Sequence, residues 1–381
     1  MPPKRILLVL FSLTLLLHAY IGWRLLPALG LVPAGTTAGI AILLASCILI
    51  PFGLLARALK APRCSDLLAW IGLGLMGLFS SILCLTLCRD LLLLLAWLLH
   101  LQPGSNVMRD SAQAIVLLSL IASLAGLFNA RRLARVRTVE IALPQLPAAL
   151  HGFEIIQISD IHVGPTIKRN YLQAIVDQVN ALHGDMIAIT GDLADGSVRQ
   201  LSGHTAVLAQ LSARYGSYFV TGNHEYYSGA QEWIAELSRL GVQVLENRHV
   251  VIEHRGARLL VAGVTDYSAH HFEGGKQSDP QAALENAPAD TGLKLLLAHQ
   301  PRSAVQAEQA GYDLQLSGHT HGGQFLPWNW FVPLQQPFTA GLNRLGNLWV
   351  YTSRGTGYWG PPMRLFAPSE ITRIRLISNA G

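Results

Sequence analysis

Four stretches near the start of the chain, 6–26, 38–59, 67–88 and 112–130, run for about twenty residues each with almost no charge. A helix of roughly 20 apolar residues matches the ~30 Å hydrocarbon core of a bilayer. Only helices and closed barrels satisfy their own backbone polar groups there. Residues 1–137 are therefore predicted to be a transmembrane region of four helices. Lys4-Arg5 precede the first stretch as in a signal peptide. Its apolar run is too long for a signal core, no small-residue cleavage site is evident, and further spans follow.

Charge orients these helices. With the N-terminus inside, the inner segments carry Lys4, Arg5, Arg57, Lys60, Arg63, Arg131, Arg132, Arg135 and Arg137. The outer segments carry Arg24, Arg89 and Arg109. Nine against three places the rest of the chain in the cytoplasm under the positive-inside rule. The basic run after the fourth helix also suits anionic headgroups. The run LLLLLAWLLHL (91–101) stands apart, because it is about half a span. It reads as an interfacial or re-entrant stretch or as an extension of helix three. If it spanned, the soluble part would change sides. Gly72, Gly74 and Gly77 leave room for close helix packing. The spans show almost no charge at mid-depth, so no transport pathway is evident.

The remainder is of another kind. Residues 1–137 hold twelve Lys or Arg and three Asp or Glu, and the rest holds sixteen and twenty. The high isoelectric point thus belongs to the apolar part and does not argue for nucleic-acid binding. All four cysteines, Cys47, Cys64, Cys84 and Cys88, also lie there. The soluble part has neither a disulfide framework nor a thiolate metal site. Any metal it holds must take His, Asp, Glu or Asn.

Residues 138–151 read as a Pro-containing linker, and 152–381 as one domain in which short apolar runs alternate with helix-like segments, an α/β pattern. Five of those runs end in polar residues of one kind. FEIIQIS ends in Asp160-Ile161-His162, DMIAIT in Gly191-Asp192-Leu193-Ala194-Asp195, and GSYFVT in Gly222-Asn223-His224-Glu225. LKLLLA ends in His299, and YDLQLS in Gly318-His319-Thr320-His321. One such tip is an ordinary turn. Five tips in one domain, four of them carrying His, point to a site outside the carboxyl ends of the strands.

The order D-x-H, G-D-x-x-D, G-N-H-E, a lone H, then G-H-x-H resembles the calcineurin-like metallophosphoesterases over roughly residues 152–377. The tail GHTHGGQ…YTSRGTGYWGPPMRLFAPSEIT is similar to their membrane-attached bacterial branch, the YaeI/YkuE-like phosphodiesterases. The resemblance implies a four-layer α-β-β-α sandwich, two packed mixed sheets flanked by helices, with two divalent metal ions at the strand ends. Metal one would take Asp160, His162, Asp192 and His321. Metal two would take Asp192, Asn223, His299 and His319, with Asp192 bridging. His224 would assist the leaving oxygen, oriented by Asp195.

Phosphate ester cleavage needs an oxygen nucleophile, charge neutralisation at phosphorus and help for the leaving group. Two metals roughly 3.5–4 Å apart supply the first two, and attack by a metal-bridging hydroxide is the implied step. Mixed nitrogen and oxygen ligands suit Mn²⁺, Fe²⁺ or Zn²⁺. Arg354, Gly355 and Arg364 are weaker candidates for substrate contact. His270-His271 lie in a Gly-rich loop that reads as exposed or as edging the cleft. The aromatics of WNWF (328–331) suit either a membrane interface or the core.

The expected protein is thus a multi-pass protein of the bacterial inner membrane with a cytoplasmic phosphoesterase domain. Its expected substrate is a phosphate ester, lipid or lipid-linked because of the anchor, with membrane lipids as further partners and no nucleic acid. Two alternatives stand beside this. One is a hydrolase of the UDP-2,3-diacylglucosamine pyrophosphatase type, an activity of some relatives in lipid A synthesis. The other is a non-catalytic metal-binding scaffold or sensor.

Overall fold

A computed structural model describes residues 4–56, 62–272 and 277–378. Four long helices come first: α1 (Lys4–Leu25), α2 (Pro33–Leu55), α3 (Pro62–Leu98) and α4 (Ser105–Arg131). All four are long and apolar enough to cross a membrane, judged by length and composition. Arg57 and Lys60, two of the charges used for orientation, lie outside the described residues, as does the predicted end of the second helix at 59.

Residues 91–98 extend helix three. The charged pair Arg89-Asp90 does not stop it, because both charges find partners. Asp90 accepts two bonds from the Arg24 guanidinium, at 2.6 and 2.9 Å, and one from the Tyr20 hydroxyl at 2.7 Å. Arg89 donates to Ser111 Oγ at 2.9 Å and to the Met108 carbonyl at 3.1 Å. With these charges answered, nothing in Leu91–Leu98 opposes continued helix.

Helices α2 and α3 cross at Gly53 and Gly72. A Cβ at Gly72 would lie 2.7 Å from the Gly53 Cα and would collide with the Leu49 carbonyl oxygen. Of the three predicted packing glycines, Gly72 makes the helix contact, Gly74 faces open space, and Gly77 faces Pro361 and Met363. Segment Gly360–Leu365 groups with these helices. We expect Gly72→Ala to cost about 1–3 kcal/mol by overpacking and Gly74→Ala to be silent, read as thermal aggregation temperature in detergent.

The second compact unit comprises Arg132–Trp359 and Phe366–Gly381. Its strands are β1 (Arg135–Leu143), β2 (Glu154–Ile158), β3 (Met186–Ile189), β4 (Ser217–Phe219), β5 (Gln243–Val244), β6 (Arg248–His254), β7 (Ala257–Gly263), β8 (Leu293–Leu297), β9 (Leu314–Ser317), β10 (Gly341–Leu345), β11 (Leu348–Thr352) and β12 (Glu370–Ser378). Between them lie α5 (Arg169–Ala181), α6 (Val198–Thr205), α7 (Asn223–Ser228), α8 (Ala230–Arg239) and α9 (Ala304–Gln309). The strands form two six-stranded sheets, β1-β12-β2-β3-β4-β5 and β10-β11-β9-β8-β7-β6. Both are mixed. β2 to β5 run parallel with β12 against them, and β7, β8, β9 and β11 run parallel with β6 and β10 against them.

Alternation along the strands builds the layers. Ile155, Met186, Ala188 and Val220 from one sheet meet Leu259, Val261, Leu295, Leu297 and Leu316 from the other in a single buried cluster. The opposite face of the second sheet, Leu260, Ala262, Leu296 and Ala298, packs on Ala304 and Ala307 of α9. α5 turns Leu172, Ile175, Val176 and Val179 inward at helical spacing. The predicted linker does not begin at 138, for Arg135–Leu143 is a strand in register with Glu370–Ser378 at the far end of the chain. Its polar, exposed first half is that of an edge strand.

Candidate metal centre

The parallel strands β2, β3 and β4 of one sheet and β8 and β9 of the other deliver their C-terminal residues to one place. A polar seam holds the two sets together. The buried Gln157 amide donates to Thr190 Oγ1 and to the Ser317 carbonyl, both at 2.9 Å, and so ties β2 to the ends of β3 and β9. Gly318 must lack a side chain, because a Cβ there would collide with Ser159 Oγ and Asp160 Oδ2. Gly222 likewise makes room for the Asp192 carboxylate.

Asp160, His162, Asp192, His319 and His321 all hold positive φ, between 52° and 72°. L-residues in this region are uncommon and cluster at functional sites, where surrounding structure enforces them. Here the enforcement is visible around Glu225, which is fully buried. Its carboxylate accepts from the backbone N–H of Asp192 at 3.0 Å, Leu193 at 2.9 Å, Ala194 at 3.3 Å and Gly222 at 2.7 Å. It locks the Asp192 turn to the Asn223 turn. Burial first, then the Asp192 charge, pushes the Glu225 carboxyl up to about 7. Sequence reasoning places Glu225 within a motif and gives it no role. The signal was its place three residues beyond Gly222, where a carboxylate reaches back to free N–H groups at a helix start.

The imidazoles are held by their second nitrogens. His299 Nδ1 is 2.7 Å from the Thr190 carbonyl oxygen, which turns Nε2 to within 3.2 Å of Asp192 Oδ2. One oxygen of Asp195 serves two rings, at 2.6 Å from His224 Nδ1 and 3.1 Å from His162 Nδ1. Such partners fix the tautomer and aim the remaining nitrogen. His162 Nε2 then faces His321 Nε2 at 3.0 Å, and His319 Nδ1 faces His299 Nε2 at 3.2 Å. His321 Nε2 is 3.6 Å from Asp160 Oδ1.

The charges follow from burial and proximity. Burial opposes ionisation of Asp192, yet the His299 and His224 imidazoles outweigh it and hold the carboxyl well below its usual range. Burial also opposes the charged form of His299, and the Asp192 carboxylate overrides it and raises the imidazole well above its usual value. For His224 the same contest, with Asp192 and Asp195 against burial, ends at about 9. Burial and the neighbouring His299 push His319 down to about 3, which leaves it a neutral lone-pair donor.

Among the described residues, three groups of donors lie close enough to grip an ion: Asp160, His162 and His321; His162, Asp192 and His224; Asp192, His299 and His319. The chemistry of the set fits divalent metal. Asp160 Oδ2 and Asn223 Oδ1 are buried without a hydrogen-bond partner. Facing ring nitrogens share no more than one proton per pair, whereas each has a lone pair to give a cation.

Comparison with known proteins agrees. Residues 153–323 match the model of the Calcineurin-like phosphoesterase family. A Bos taurus "Transmembrane protein with metallophosphoesterase domain" is 39% identical over 342 residues, which cover 85% of this chain and 77% of the relative. This chain is a calcineurin-like metallophosphoesterase. A Danio rerio protein of the same description is 40% identical over 281 residues, 72% of this chain, and the match spans 64% of that relative's length. The "Uncharacterized metallophosphoesterase YkuE" of Bacillus subtilis is 29% identical over 245 residues, 61% of this chain and 82% of its own. The metallophosphoesterase family consists of metal-dependent phosphoester hydrolases with a dinuclear divalent centre.

The remaining sequence candidates lie around this centre and in the helical unit. Arg354 donates through Nη1 to Glu370 Oε2 at 3.2 Å, and its aliphatic part lies against Gly322, next to His321. The Gly355 N–H donates to Ser353 Oγ at 3.0 Å. Arg364 is buried in the segment that groups with the helices, and its backbone N–H donates to the Gly126 carbonyl at 2.9 Å.

Proposed function

We propose that this metallophosphoesterase hydrolyses a phosphate ester, a diester in particular, at the cytoplasmic face of the membrane its helices cross. The observation that carries this is the two donor clusters Asp160–His162–His321 and Asp192–His299–His319, with Asp192 Oδ2 also 3.9 Å from His162 Nε2 and orphaned oxygens of Asp160 and Asn223 beside them. In this reading Asp160, His162, Asp192 and His321 hold one ion, and Asp192, Asn223, His299 and His319 the other. When bound, two divalent ions acidify the attacking water and place positive charge at the phosphoryl oxygens. His224 is not needed as a ligand. Its Nδ1 is committed to Asp195, and its Nε2 is left to give a proton to the departing oxygen. Arg354, whose aliphatic part lies beside the His321 turn, is kept as the candidate to meet a phosphoryl oxygen.

A lipid or lipid-linked substrate is favoured by the segment that comes after the last ligands. Leu326–Phe338 contains no charged residue. Trp328, Trp330, Phe331 and Leu334 are 44%, 70%, 51% and 81% exposed, so the WNWF run is not core. Trp at a water–hydrocarbon boundary is in its preferred setting. The cytoplasmic placement rests on the basic run Arg131–Arg137 directly after the fourth helix.

The 381-residue chain in nanodiscs with Mn²⁺ should hydrolyse an aryl phosphodiester. Two bound ions with no turnover under any of several metals would leave a metal-binding scaffold instead. A screen of lipid extract should show one phosphorylated species consumed. A C-terminal reporter should be active only in the cytoplasm, and activity only on the other side would overturn the placement.

A further inference from the structure

The ring of His224 is walled by aromatic side chains that the proposed chemistry leaves unused. Tyr227 meets it edge to face at 5.1 Å between centroids, and Trp359 does so at 5.8 Å. Phe272 continues the wall, 5.2 Å from Tyr227 and also edge to face. Core aromatics in this fold are nearly inaccessible, yet Tyr227, Phe272 and Trp359 are 58%, 45% and 46% exposed. Three large rings that pack on His224 or on one another and still present about half their surface to water form an apolar wall in need of a cover.

Two of the three rings are tied to the ligand turns. Tyr227 lies on α7, three residues beyond His224, and so on the same helix face. Trp359 is pinned to the last ligand turn. Its N–H donates to Gln324 Oε1 at 2.9 Å, and its carbonyl accepts from Gln324 Nε2 at 2.8 Å. Gln324 follows His321 by three residues and itself holds φ +58°. The turn that positions two predicted ligands thus also positions the ring beside His224.

We infer that Tyr227, Phe272 and Trp359 form a subsite for the leaving group, and that this group is a hydrocarbon-bearing alcohol, not a small hydrophilic one. The inference rests on the reading of His224 as the donor to the leaving oxygen. In phosphoryl transfer the leaving oxygen departs in line with the attack. Its substituent therefore passes beside whatever protonates it, and here that place is lined by rings.

The test is a series of methyl 4-alkylphenyl phosphate diesters, from methyl to pentyl, assayed with the full chain in nanodiscs and Mn²⁺. The alkyl group barely changes the acidity of the phenol, so apolar surface is the variable. kcat/KM should climb along the series, by up to about fourfold per fully buried methylene, mostly through KM. A parallel series with n-alkyl leaving groups separates the two sources, because a rise there as well assigns a chain-bearing alcohol and a rise only with aryl groups a ring. Trp359→Ala and Tyr227→Ala should flatten the slope, and Trp359→Phe should restore most of it. Partition into lipid is common to parent and variants, so it drops out of the comparison. If Trp359→Ala does not fold, Phe272→Ala reads the same slope. A flat series in the parent, or a slope unchanged in every variant, overturns the subsite while leaving the hydrolase reading intact. Should no ester be turned over, binding of 4-alkylphenyl phosphonates followed by titration calorimetry decides. Affinity that grows with chain length keeps the subsite although the hydrolase reading has failed, and affinity independent of length removes it.

Discussion

His224→Ala is expected to bind two divalent ions as the parent does and to lose on the order of 10²–10⁴ of its turnover, the usual worth of a positioned proton donor. The competing assignment is specific, because His162, Asp192 and His224 also form a triple of candidate ligands. Geometry favours the donor role. The closest approach of His224 is to Asp195, at 2.6 Å through Nδ1, whereas its Nε2 stands 4.0 Å from Asp192 Oδ2. The other six imidazole and carboxylate candidates cluster without it. Metal content and kcat measured together separate the roles. A proton donor also matters less as the leaving group becomes a better one. The deficit of the variant should thus shrink from an alkyl to a nitrophenyl to a dinitrophenyl leaving group. Loss of an ion with activity retained, or a deficit equal across leaving groups, would sink the assignment.

The site was legible because each predicted ligand follows its strand within a few residues, so local pattern alone placed it at a strand end. The sheets were legible for the same reason, as five short apolar runs became β2, β3, β4, β8 and β9. What escaped depends on distant partners. β1 reads as a connector because its pairing strand lies more than 230 residues away and its own first half is exposed. The continuation of α3 through Arg89-Asp90 is one of the readings the sequence leaves open, and what decides it is Arg24 and Tyr20 of another helix. The wall around His224 joins Phe272, Trp359 and α7, which no local pattern connects. Asp195 reads in the sequence as the partner of one imidazole, and the fold gives it two, since β2 sets His162 on the other side of the same oxygen.

His319→Ala and His321→Ala should each remove one ion, and not the same one. Thr320 lies between them and turns away, its hydroxyl donating to the Thr339 carbonyl at 2.6 Å. The two imidazoles are thereby sent to different partners. His321 Nε2 faces His162 and Asp160, whereas His319 Nδ1 faces His299. Loss of even a residue that only supports a ligand weakens metal affinity by roughly 10–100-fold, so loss of a ligand should exceed that. Each variant should titrate to one tightly held ion, with the spin-coupled signal of a Mn²⁺ pair replaced by that of an isolated ion. Double variants then say which ion is which. His321→Ala combined with His162→Ala strips one site twice and should still hold an ion. His319→Ala combined with His162→Ala strips both sites and should hold none tightly. Asp192→Ala, which removes the one carboxylate placed between the clusters, should behave like the second pair from a single substitution. If both single histidine variants lost the same ion, the division of ligands between the two clusters would be wrong, even with every named residue in contact with metal.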